Sequence, residues 1–140
     1  MRLLSALPFT FFTLLIYNGL AFTKGASNAN FWSEPVFTVP MVSGAIFQLL
    51  ASDLLITMGL LFLFLEILKA TRIGTMALLD HMLSVLVFVI YLVEFLVHQT
   101  AATSLFFILT VIALIDVIAG FSISITGARR DVSFGRGDLH

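Results

Sequence analysis

Four carboxylates, Asp53, Asp80, Glu94 and Asp116, lie inside long apolar stretches of this chain. If those stretches are membrane helices, Asp53 and Asp116 fall ~16 Å and ~20 Å below the outer ends of their segments, near the bilayer midplane. An acid at the centre of a membrane helix costs about 2.5–3.5 kcal/mol on insertion scales, so each needs a partner or a use. No Lys or Arg of the chain is expected at that depth. The two acids are therefore expected to hold or share a proton, bind a cation, or meet a basic group of another protein.

Asp80 and Glu94 share one stripe. Asp80, Ser84, Val87, Tyr91, Glu94 and His98 recur at helical steps of three and four, which stacks them on one face. Ala45, Ser52, Gly59 and Glu66 form a similar seam in the preceding segment, and Thr110, Ala113, Gly120 and Ser124, with Asp116 beside them, form one in the last. Gly59, Gly120, Ser52 and Ser124 are small enough to let helices approach closely. Ala6, Thr10, Thr13 and Tyr17 make a weaker stripe near the start. Lipid cannot hydrogen-bond such groups, so the plain expectation is that all four stripes pack inward. Glu66 has a simple account as the partner of Lys69 and Arg72 at an interface where long basic side chains reach water.

The composition agrees with a membrane setting. The 140 residues are 60% hydrophobic and 11% charged, with a mean hydropathy of +1.12, against about 25% charged for soluble domains. The predicted architecture is all-α, an antiparallel four-transmembrane-helix bundle over residues 1–126, with helices at about 3–22, 42–68, 74–97 and 103–126. Residues 127–140 read as a polar tail at the surface. The first stretch is too long for a secretory leader and lacks a good cleavage site, so it is expected to be a retained helix. Short connections near Lys69–Arg72 and His98–Ala102 predict that sequence neighbours are spatial neighbours. Thr23 to Pro40, rich in turn formers, is expected to lie on the membrane surface, with Phe31, Trp32 and Phe37 at headgroup level.

Of the 7 basic residues, all but Lys24 fall at one side of this layout. The positive-inside rule then puts both termini in the cytoplasm, and the expected location is a bacterial inner membrane. A net charge of −1 supplies no general basic surface for nucleic acid, and the absence of cysteine removes thiolate chemistry. Two histidines at equal depth on facing helices would be needed for haem, yet His81 and His98 share one helix ~25 Å apart. Glu94 and His98 are at metal-ligand spacing but no third ligand accompanies them. His81 reads as a buried neutral histidine. No nucleophile and base can be assembled, so no catalytic residue, cofactor or metal is expected.

Three functions remain. The leading one is a non-enzymatic accessory or assembly subunit packing against other membrane-protein subunits or as a homo-oligomer in the lipid bilayer. An alternative is a proton or cation pathway with Asp53 and Asp116 at the midplane, Glu94 and Asp80 as outer and inner relays, and Tyr17, Tyr91 and His81 nearby. The third is a lipid or quinone cleft lined by Phe62, Phe64, Phe88 and Phe95, although 15 Phe in the chain make such a lining easy to find by chance.

Overall fold

The computed structural model describes residues 7–72 and 75–134. Helix α1, Phe9–Leu20, starts behind Pro8, whose fixed φ of −66° suits a helix entry, and it ends in a π turn over Ala21–Gly25. A single 3-10 turn, Phe31–Ser33, leads into an antiparallel hairpin of β1, Pro35–Pro40, and β2, Ile46–Leu50. Helices α2, Ala51–Ala70, α3, Thr75–Val97, and α4, Ser104–Phe134, complete the order.

Three of these helices are long and apolar enough to cross a membrane: Ala51–Ala70, Ala77–Val97 and Ser104–Arg130. At 1.5 Å per residue each reaches or exceeds the ~30 Å hydrocarbon slab. The protein is thus mostly helical and membrane-like in character. Helix α1, with 12 residues, is shorter than the others.

Four expectations are corrected. The second helix begins at Ala51 rather than near residue 42, because residues 46–50 pair with 35–40 as a strand. Gly44, at φ +83°, allows the tight reversal, closed by Met41 N–H donating to Ala45 O at 2.8 Å. The fold is therefore α-helical with a small two-stranded sheet, not purely α. The described part of the supposed tail is also helical, since α4 continues through Phe134, with Arg129 and Arg130 exposed on it. The predicted start of the first helix, at residues 3–6, lies outside the described residues, as do 135–140 of the tail.

The fourth correction concerns neighbours. Helix α4 packs along both α2 and α3 and so stands between these sequence neighbours, while α1 lies mainly on α2. Gly59 explains the close α2–α4 approach: a Cβ there would meet Leu109 Cδ2 at 3.3 Å and Ile112 Cδ1 at 3.4 Å. Fully buried Tyr17, Tyr91, Phe106 and Leu109 fill the centre of the bundle near the hairpin end. The Phe106 ring lies 4.8 Å from that of Tyr17 and 5.4 Å from that of Tyr91. Aromatic pairs of this kind are worth about 0.5–1.5 kcal/mol each beyond area burial. Large apolar side chains such as Leu61, Leu86 and Ile118 point outward, as they should where the surrounding solvent is lipid.

Candidate functional site: a polar cluster and an open groove

The bundle has two ends, one at the α2–α3 turn and one at the hairpin. At the turn end, Glu66 occupies the buried stripe of α2, a full two turns beyond Gly59, and is 4% exposed. Its Oε2 accepts Phe9 N–H at 3.0 Å, capping the first turn of α1, which has no side-chain cap of its own. Its Oε1 pairs with Lys69 Nζ at 2.8 Å. Lys69 also donates to Leu7 O at 3.4 Å, lies 5.5 Å from the Phe9 ring centre and reaches Asp80 Oδ2 of α3 at 3.9 Å. With its side chain only 12% exposed, Lys69 turns inward to join three helices, instead of reaching water as expected.

Asp116 lies deeper on the same side, buried at 4% exposure. Thr10 of α1 donates its hydroxyl to Asp116 Oδ2 at 3.4 Å, and Ser84 of α3 is buried beside the same carboxyl at the cavity they both line. Tyr91 O–H donates to the Thr10 carbonyl at 2.9 Å, extending the polar chain toward the hairpin end. His81 Nε2 makes a short hydrogen bond with Ser124 Oγ, and its ring stacks on Phe121 at 5.7 Å. A Cβ at Gly120 would lie 2.6 Å from His81 Nδ1, so this glycine makes room for the imidazole. A cavity of about 10 Å³ remains, lined by Glu66, Lys69, Asp80, His81, Ser84 and Asp116 among others. That is close to the space one water needs. Asp80 Oδ1 borders this region buried and without a hydrogen-bond partner.

Asp53 belongs elsewhere. Because α2 starts at Ala51, Asp53 sits in its first turn, and its Oδ2 accepts Leu50 N–H at 3.2 Å. The expected depth of Asp53 near the midplane is thereby corrected: Asp53 is a helix-end acid, favoured there by the positive end of the helix dipole. Ser52 is half-buried in the same turn.

At the hairpin end, Tyr17 O–H donates to Thr100 O at 2.7 Å and shares a 3.0 Å hydrogen bond with Thr103 Oγ1. Trp32 stacks on Tyr17 with ring centres 5.0 Å apart. Beside this plug the α1–α3 seam opens into a groove of about 470 Å³ with Phe22, Val89, Ile90 and Val93 along it and Asn18, Glu94, His98 and Thr100 at its polar end. Glu94 is half-buried there and makes no hydrogen bond or ion pair among the described residues. The four Phe residues considered for a cleft are dispersed: Phe62 stacks on Phe9, Phe95 packs near Phe106 and Phe107, Phe88 lies against the core, and Phe64 faces outward. None of them lines the groove.

Glu66, Lys69 and Thr10 are the cluster members the sequence reading undervalued. The signal was present, since Glu66 lies in register with Gly59 and Thr10 with Tyr17. Among the described residues no group of three or more His, Cys, Asp or Glu is arranged to hold a metal ion. These features define a helical protein of membrane character with a polar interior. Comparison with protein-family models, curated proteins and solved structures returns no match.

Proposed function

We propose that this chain is a non-enzymatic membrane subunit that assembles, through its hairpin end, with another membrane protein or a second copy of itself. The hairpin carries this reading. From Pro35 to Ser52 there is no charged residue, and Val36, Phe37, Met41, Val42, Ile46 and Phe47 are all exposed. Neither strand of this two-stranded sheet has a charged edge, and β1 is guarded only by Pro35, Pro40 and a bulge between Pro35 and Phe37. A hairpin of this composition is stabilised by a partner surface.

In this reading α1, which runs from Glu66 at one end to Thr100 at the other, is the fourth crossing. By the positive-inside rule Lys69, Arg72, Arg129 and Arg130 support a cytoplasmic turn end and cytoplasmic termini in a bacterial inner membrane. Asp53 and Asp116 are occupied within the chain, so the partner is met by the hairpin and not by these acids. The test is the mass of the protein extracted in mild detergent. A larger assembly or oligomer is expected, reduced to a monomer by the pair Val36→Lys and Phe47→Lys. A monomer in native membranes, or an assembly indifferent to both charges, contradicts the proposal.

A second reading is favoured by one observation: three carboxylates, Glu66, Asp80 and Asp116, surround one lysine beside a water-sized cavity. This is the inventory of a proton or cation pathway entered from the turn end, with Asp116 as its innermost acid. Reconstituted vesicles test it. The pathway requires a flux that Asp116→Asn abolishes, and an absent or unaltered flux removes it.

A further inference from the structure

We infer that the groove between α1 and α3 is a binding site for a membrane lipid whose headgroup carries a protonated amine. The groove is polarised along its length. Val89, Ile90 and Val93 present one apolar face of α3, and Phe22, in the π turn after α1, lines the groove toward the hairpin end. One turn from the end of α3 stands Glu94, followed by His98. An alkyl chain matches the first part and a cation matches the second.

Charge decides the headgroup. Among the described residues, Glu66 has Lys69 and Phe9 N–H, Asp116 has the Thr10 hydroxyl, Asp53 has Leu50 N–H, and Asp80 has Lys69 as a looser ion partner at 3.9 Å. Glu94 has no such partner, yet it is half-buried in a groove open to the surroundings. An acid held at an apolar groove is stabilised by a cation delivered from outside, and an ammonium that also donates hydrogen bonds is the strongest match. Depth agrees. Glu94 lies at the end marked by Trp32 stacked on Tyr17, an aromatic pair of the type that gathers at headgroup level.

Size agrees with a small amphiphile. A volume of about 470 Å³ falls in the usual range for small-ligand sites, roughly 300–1,000 Å³. The site does not depend on the hairpin reading, because it lies on the α1–α3 seam and shares none of the exposed hairpin residues.

The test is native mass spectrometry of the delipidated full chain, titrated separately with phosphatidylethanolamine, N-acetylated phosphatidylethanolamine and phosphatidylglycerol. Phosphatidylethanolamine is expected to bind roughly tenfold tighter than the other two, the scale of one charge-assisted hydrogen bond. Glu94→Gln should erase that preference, and Val93→Trp, which fills the apolar floor, should weaken all three. The hairpin variants Val36→Lys and Phe47→Lys should keep the preference even if assembly is lost. Equal affinities, or a preference that survives Glu94→Gln, overturn the proposal. So does an unchanged lipid preference when Glu94→Gln instead dissociates an assembly, which would assign Glu94 to a cation of a partner helix.

Discussion

The two ends of this bundle solve the same problem differently. At the turn end, polar groups are drawn inside and satisfied by one another, with Lys69 linked to α1, its own helix and α3. At the hairpin end, the interior is sealed by rings and hydroxyls, while an unpaired acid and an uncharged hairpin are left on the outside. In lipid, apolar burial does little to hold helices together, so packing and polar links decide which helices stay joined. The turn end is therefore the more tightly linked part of the molecule, and the hairpin end is the part that the proposed function assigns to a partner.

That contrast predicts an ordered series of effects. Lys69→Met should be the most damaging, because it leaves Glu66 buried without its cation, a loss of about 3–5 kcal/mol. Reversible unfolding in mixed micelles would measure it, and Glu66→Gln added to Lys69→Met should restore a large share. If the single change costs under about 1 kcal/mol, the turn end is not a lock. Gly120→Ala comes next. Its methyl would displace the His81 ring from Ser124, an overpacking penalty of about 1–3 kcal/mol only partly offset by the better helix propensity of alanine. Combining it with His81→Ala should relieve the clash, and a purely additive double mutant would show that the ring is not the obstacle.

Tyr17→Phe and Tyr91→Phe probe the sealed interior toward the other end. Each removes hydroxyl bonds but keeps the ring packing, so about 0.6 kcal/mol apiece is expected on the same unfolding assay. A loss as large as that for Lys69→Met would erase the distinction between the ends. Smallest for stability are Val36→Lys and Phe47→Lys, within about 0.5 kcal/mol because both side chains are exposed. Their effect should appear in assembly size alone.

How much of this was legible beforehand differs along the chain. Of the α3 stripe, Ser84, Val87 and Tyr91 are buried as the spacing implied, whereas Asp80 and Glu94 are half-buried and His98 is exposed, so the inward face holds only over the middle of the helix. Thr10, Thr13 and Tyr17 are buried too, although a stripe of hydroxyls among phenylalanines is a faint pattern. Hydropathy misled at residues 41–50. From Ile46 into α2 the chain is largely apolar, interrupted only by Gln48, Ser52 and Asp53, and hydropathy does not tell a strand from a helix. Ser43-Gly44 between the β-branched run Val36 to Val39 and the run Ile46 to Leu50 was the available hairpin signal. Placing the helix start near 42 instead of Ala51 also misplaces Asp53, which lies in the first turn and not ~16 Å inside the helix. The inward turn of Lys69 was not readable, since an i,i+3 pair at a helix end looks the same whether it faces water or three helices.

The claim on which the rest depends is that the outward apolar faces meet lipid while the acids are held within. The chain contains no cysteine, so single spin labels can be placed cleanly at Leu61→Cys, Leu86→Cys and Ile118→Cys, with Ser43→Cys at the hairpin tip for comparison. In bilayers, dissolved oxygen should relax the first three strongly and a water-soluble nickel chelate should not, with the reverse at residue 43. Nickel access at positions 61, 86 and 118 equal to that at 43 would mean that water, not lipid, surrounds the helices, and would contradict the account.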